Sequence, residues 1–437
     1  MEKRSASKDY VIIGFALFAM FFGAGNLIFP PYLGKMAGSK VFPAMLGFLI
    51  SGVGLPLAGI IACAKINGTF TDIAGRVGKK FAIFANTAII ICIGPMLAVP
   101  RTAATTHELA IQPNLPNVSP VITVVIFFVI ALSFVLRPSR IVDYIGKFLT
   151  PALLILLCII IVKGIISPLG PIIHTNIEGA FSKSLLEGYQ TMDGMGSAVM
   201  ATIVIMDVRS RGYKSNKAVV KVASKAAIIA ALGLGLVYGG LMFLGSQTAA
   251  ILPKDMPRTA LVIEIVRRDL GNIGPIILGI AVGLACLTTA IALITTAANY
   301  FSDLSEGKVS YNAVAIIVTV ISAVFGTFGV EKIIQIAVPI LQILYPISII
   351  LVVITLAGKV VKSNKVVRVT IYATLIVSIL DTINSISSGS IEFIKSIIEF
   401  MPLASSGFSW LVPSVIVFLI SSIIYRKDVT ELEVENI

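Results

Sequence analysis

Apolar residues in this chain run in long blocks, divided by short polar or basic segments, without strand-like alternation. Each block holds roughly 18 to 25 mostly apolar residues, which at about 1.5 Å per residue as helix crosses a hydrocarbon core of about 30 Å. Inside a membrane only helices and closed barrels satisfy every backbone polar group. A barrel would show segments of about ten residues alternating apolar and polar, and the sequence has none. The blocks predict an all-α polytopic membrane protein with spans over residues 11–33, 42–64, 81–106, 121–136, 147–166, 185–207, 218–245, 273–300, 312–330, 333–357, 366–387 and 407–425. Twelve spans, an even number, place both ends of the chain on one side.

Composition agrees. Of 437 residues 57% are hydrophobic and only 13% charged, with a mean hydropathy of +0.99, outside the range of water-soluble chains. The formal charge of +12 does not point to nucleic acid, because Lys and Arg sit in short blocks between spans and form no single basic face. With the N-terminus inside, 23 of the 34 Lys and Arg residues fall on the cytoplasmic side, 10 outside and Arg101 within a span. The positive-inside rule therefore predicts that both termini are cytoplasmic. Lys3, Arg4 and Lys8 before an apolar stretch resemble a signal peptide, but the stretch is too long and lacks a small-residue cleavage site, so it is read as the first span. In the outer loop 247–272, apolar spacing from Pro257 to Leu270 predicts a short helix lying over the protein.

Cys63, Cys92, Cys158 and Cys286 are scattered singly through apolar blocks and read as packing residues, and His107 and His174 read as isolated loop residues. Segments between spans are too short for a soluble domain, and the tail from Arg426 to Ile437 reads as solvated. There is no Walker A loop, so ATP is excluded as the direct energy source within this chain. No assembled nucleophile, base and metal set marks an enzyme, and no ring of charge marks a channel filter. No cofactor and no obligatory protein partner are expected.

Three places in the spans carry chemistry. Gly23, Ala24, Gly25 and Asn26 interrupt the first span, ahead of Pro30 and Pro31. Each glycine costs a helix about 1 kcal/mol relative to alanine, and unpaired backbone in a membrane survives only where it lines a protein-enclosed cavity. A glycine packing face is the alternative; Asn26 favours a broken helix with a site at the break. The sixth span opens with Gly188, Tyr189, Gln190, Thr191, Met192, Asp193, Gly194, Met195, Gly196 and Ser197. Asp193 suits either the outer interface or a second break, and paired Gly-interrupted segments at the heads of two five-helix halves point to an inverted-repeat transporter. In the eighth span Thr288 and Thr289 supply adjacent hydroxyls of the kind a hard cation takes, with Thr296 expected to lie outside the site.

With FFGAGNLIFPP at its opening, GPMLAVPRTAATTHE in the third span and GYQTMDGM in the sixth, the chain resembles, over essentially its full length, the bacterial branched-chain amino acid:cation symporter family. The resemblance implies a LeuT-type five-plus-five inverted repeat, 11–166 and 185–357, with two additional helices over 366–425. It implies sodium-driven uptake of leucine, isoleucine and valine. By similarity to the wider fold, the backbone amides of Ala24 and Gly25 would meet the substrate carboxylate, with Asn26 beside them, and Tyr189, Gln190, Thr191, Asp193 and Gly194 would face it. Sodium would map to the carbonyls of Ala19, Phe22 and Ala285 and the hydroxyls of Thr288 and Thr289; a second site would involve Asn26 and Thr191. Asp193 departs from the uncharged residue usual near this position in neurotransmitter-type relatives, which suits it to the substrate ammonium or to cation coupling.

Arg101, about 30 Å along a helix that starts near Phe81, is expected close to the outer interface. Snorkelling to water and an outer-gate ion pair are its two readings. The rival to sodium coupling is a proton-coupled carrier of small apolar amino acids with Asp193 as the proton site.

Overall fold

Phe22 and Gly23 belong to no helix, and their place in the chain sets the architecture. In a computed structural model, residues 6–137, 140–358, 361–426 and 428 are described, with the side chains of 6, 7, 140–150, 198 and 199 left aside. The first span is two helices, α1 (Ala6–Phe21) and α2 (Ala24–Ala37), bent by 76°. Then follow α3 (Val41–Ile66), α4 (Lys79–Ile111), α5 (Pro120–Leu136) and α6 (Arg140–Ile166). The sixth span is again two helices, α7 (Ala180–Thr191) and α8 (Asp193–Ser210), bent by 50° at Met192. After it come α9 (Asn216–Ser246), α10 (Arg258–Leu270), α11 (Ile273–Leu304), α12 (Tyr311–Gly326) and α13 (Val330–Ala357). The chain closes with α14 (Asn364–Ile386), α15 (Glu392–Phe400) and α16 (Leu411–Ile424). Among the described residues, six single helices and two bent pairs are long and apolar enough to span, and four shorter apolar helices bring the total to the twelve blocks read from the sequence.

The outer face is built for lipid. On α5, Val121, Ile122, Val125 and Val129 are exposed while Val124, Phe128 and Ala131 turn inward. That pattern buries one helix face in protein and the other in hydrocarbon. Helices meet through small residues. A Cβ on Gly34 would overlap the carbonyl of Met242, and one on Gly245 would overlap that of Pro31, so α2 and α9 touch backbone to backbone. The N-terminal half, α1, also packs along α9. Helix α4 is less regular: five-residue π turns occupy Cys92–Met96 and His107–Ile111, and Gly94 beside Pro95 leaves helical geometry at φ −83°, ψ −109°.

The two ends are tied by different groups. At the end holding the N-terminus, Asp9 pairs with Arg211 (3.1 Å) and accepts from Tyr213 (3.0 Å). There too, Lys65 donates to the carbonyl of Leu356 (2.7 Å) and Arg76 to that of Val361 (2.7 Å). Asp428, beyond α16, pairs with Lys365 (2.9 Å) near Arg368, which reaches the carbonyl of Val77. Both described ends of the chain thus lie at one end of the bundle.

Some expectations shift. The outer helix read from Pro257 to Leu270 is α10, while α15, between the last two spans, has no counterpart in the sequence reading. His174 sits in a loop against Ser39 as expected, but His107 lies inside α4, bonded to Thr123 (2.9 Å).

Candidate substrate and cation site

Gly23 takes an extended conformation, φ −119° and ψ −170°, which leaves α2 to begin afresh at Ala24. The first amides of a helix have no carbonyl four residues back to bond. Asn26 meets part of that need: its Oδ1 accepts from Gly23 N–H (3.4 Å), and its Nδ2 donates to Asp193 Oδ2 (2.7 Å) and to the hydroxyl of Tyr238. Asp193 opens α8 directly after Met192, a non-glycine residue held in the left-handed region at φ 63°. Such a backbone persists only where its surroundings fix it. Its carboxylate lies at the positive end of an 18-residue helix, where negative charge is favoured. Asp193 is buried, 7% exposed, so the interfacial reading of this residue does not hold.

The two breaks border a cavity of about 900 Å³. From the first span it is lined by Ala19, Ala24, Gly25 and Asn26, and from the sixth by Thr191 and Asp193. Arg101 on α4 and Thr288 and Thr289 on α11 complete the sequence-expected part of the wall. Thr296 lines it too, contrary to expectation, because two helical turns along α11 keep a residue on nearly the same face.

Five expected residues do not line the cavity. Phe22 stacks on Phe18, ring centroids 5.3 Å apart, and the carbonyl of Ala285 accepts from the Thr288 hydroxyl (2.9 Å). Tyr189 stacks on Tyr345 at 4.2 Å. Gly194 lies under the same tyrosine, where a Cβ would come within 2.8 Å of its ring. Gln190 presents its carbonyl to Arg101. Sequence reasoning missed Tyr238 and Tyr345; a tyrosine inside an apolar block, whose hydroxyl needs a partner when buried, is the signal that marks them.

Arg101 is 2% exposed and does not reach water. Helix α4 continues ten residues past it, to Ile111, and so carries it through the protein interior rather than to the interface. Its Nη1 donates to Gln190 O (2.5 Å), and its guanidinium lies over the ring of Phe29 at 5.4 Å. The arginine that does form ion pairs near this end is Arg258 on α10. It contacts Glu187 (2.8 Å) and Glu331 and stacks on Tyr32 at 4.1 Å. Burial alone would lower the pKa of Arg258, yet the two carboxylates more than offset this and hold it above its ordinary value. Next to it Thr259 donates to Glu108 (2.6 Å), whose other oxygen accepts from Val330 N–H (2.8 Å). These contacts tie α10 to α2, α4, α7 and α13 and close the cavity at the end opposite the N-terminus. On the other side it extends along α1, α6 and α8 to Phe15, Ile155 and Ile203, all exposed.

An apolar helical bundle with two facing broken helices over a central cavity has the LeuT-like fold. It superposes on Mhp1, a nucleobase-cation-symport-1 family transporter in a closed conformation with bromovinylhydantoin bound, with a TM-score of 0.63 at 12% identity over 95% of this chain and 93% of that one. A sodium-coupled sialic acid symporter in its substrate-bound outward-open state gives 0.54 at 13% identity, covering 95% and 89%. The family described as branched-chain amino acid transport protein matches residues 6–428, and the chain belongs to it. It is 38% identical to the branched-chain amino acid permease BraB of Bacillus subtilis over 94% of each chain. It is 32% identical to the permease BrnQ of Salmonella typhimurium over 97% of each. The chain is a membrane transporter, not an enzyme.

Proposed function

We propose that this protein imports leucine, isoleucine and valine across the bacterial cytoplasmic membrane, with sodium moving in the same direction. The observation that carries the reading is the cavity between the two breaks, where Asp193 and the first-turn amides of α2 meet a mostly apolar wall. In this reading Asp193 takes the substrate ammonium, while Ala19 and the hydroxyls of Thr288 and Thr289 border the sodium position. Residues 11–166 and 185–357 are the two repeats, and 366–425 the additional pair. The first and sixth spans rock against the other helices, so that a cavity open at one end closes there and opens at the other.

Sodium supplies about 2.3 kcal/mol per charge for each 100 mV of membrane potential, enough to drive useful accumulation. Apolar contact selects the side chain: each CH₂ left unburied costs about 0.8 kcal/mol, so alanine competes poorly. The deciding experiment is uptake of labelled leucine into proteoliposomes under separately imposed sodium, potassium and pH gradients. Uptake driven by the sodium gradient at constant pH supports this reading. Asp193, a buried carboxylate on the cavity wall, favours one alternative, proton-coupled carriage of small apolar amino acids; uptake driven by a pH gradient without sodium would establish it. No gradient-driven leucine uptake would refute both.

A further inference from the structure

Arg101 is a buried cation without an anion. Its Nε and Nη2 have no hydrogen-bond partner, and among the described residues no carboxylate lies within ion-pair distance of it. Its neighbour Arg258 holds Glu187 and Glu331. Burying an unpaired guanidinium in low dielectric is expensive, so native proteins pair such groups. Arg101 also lines the cavity, and its Nη1 is 3.4 Å from where a Cβ on Gly25 would sit. Ala24 and Gly25, in the first turn of α2, direct donors at the same region that no carbonyl of their own helix can reach. A buried fork of guanidinium N–H groups beside a helix N-terminus is a receptor for a planar anion.

We propose that Arg101 binds the α-carboxylate of the transported amino acid through its two unpartnered N–H groups, jointly with the first-turn amides of α2. This assignment rests on the reading of the cavity as the amino-acid site. With Asp193 taking the ammonium, the cavity then carries one fixed charge for each end of a zwitterion. It selects free amino acids over amines, amides and 2-oxo acids, each of which leaves one of the two charges buried and unpaired. The bond from Nη1 to Gln190 holds the guanidinium in place when no substrate is bound.

The test is equilibrium binding of leucine and of leucinamide, which keeps the ammonium and the side chain but has no carboxylate, to the purified protein and to Arg101→Gln and Arg101→Lys. The unaltered protein is expected to prefer leucine by about 30-fold, the scale of a lost charge-assisted hydrogen bond. Arg101→Gln should reduce that preference to about threefold or less, leaving the backbone amides as the remaining anion donors. Arg101→Lys keeps the charge without the planar fork, and should reduce the preference by at least about fivefold. A purely structural role lowers affinity for both ligands together and leaves the ratio unchanged. An unchanged ratio in whichever variant folds overturns the assignment. Absence of leucine binding by the unaltered protein would overturn the reading of the cavity itself.

Discussion

Asn26 Nδ2 lies 2.7 Å from Asp193 Oδ2, so the amide that caps the second half of one broken span also holds the carboxylate that opens the second half of the other. The partners are 167 residues apart in the chain, and their bond fastens the two discontinuities to each other at the cavity wall. A shift of either half-helix must move or break it.

Asp193→Asn leaves an amide that can still accept from Asn26, so the fold should survive while the fixed negative charge is lost. Leucine binding is expected to weaken at least tenfold, about 1.4 kcal/mol. Titration of labelled leucine against the folded variant measures it. Affinity equal to that of the unaltered protein would remove Asp193 from the site.

Thr288 donates its proton to the carbonyl of Ala285, which leaves the hydroxyl oxygen free to offer lone pairs to a cation. Thr288→Val and Thr289→Val should each raise the sodium concentration for half-maximal uptake by several-fold, about the effect of losing one of a small cation's oxygen ligands. Thr296 is unsuitable as a control because it borders the same cavity. Thr295→Val serves instead, since its hydroxyl faces Tyr311 (3.4 Å) away from the cavity wall. Unchanged sodium dependence in both Val variants would end the assignment of this cation position.

The distribution of basic residues predicts that the loop between α8 and α9 faces the cytoplasm. Lys214 in that loop is exposed. A Lys214→Cys variant in intact cells should resist an impermeant thiol reagent and react once the membrane is opened. Labelling before permeabilisation would reverse the orientation.

Arg258 joins α10 to α7 and α13 through two carboxylates, and its side chain is only 13% exposed. Arg258→Gln removes both pairs, at a cost of about 1 to 2 kcal/mol to the arrangement closed at that end. The population open on that side should rise by about tenfold. A cysteine at Ala98, on the cavity wall, should then react faster with an impermeant reagent supplied from that side, and an unaltered rate would show that these pairs do not hold the closure.

The spans were legible because hydrocarbon imposes a length and an apolar composition on each of them, and the first break because Gly23, Gly25 and Asn26 give a helix so little support there. Arg101 was misplaced because counting residues from Phe81 assumed a helix that ends near 106. The helix runs to Ile111 through two π turns, and what surrounds an arginine depends on helices that periodicity does not mention. Tyr345, the acceptors of Arg258 and the hydroxyl of Tyr238 were hidden for the same reason: each meets its partner across more than 70 residues of chain. Helix α15, with Glu392, Lys395 and Glu399 among its nine residues, was too short to register as a span.

The cavity beneath the closed end is roomier than an isobutyl or isopropyl side chain requires, which separates admission from carriage. Ligands are admitted by the open form, but only those small enough to let the walls come together complete the cycle. A leucine analogue with a bulky ring system in place of the isobutyl group should therefore compete for binding yet remain outside the vesicle, a wedge rather than a passenger. Equal rates of uptake for the analogue and for leucine would show that the walls impose no such limit.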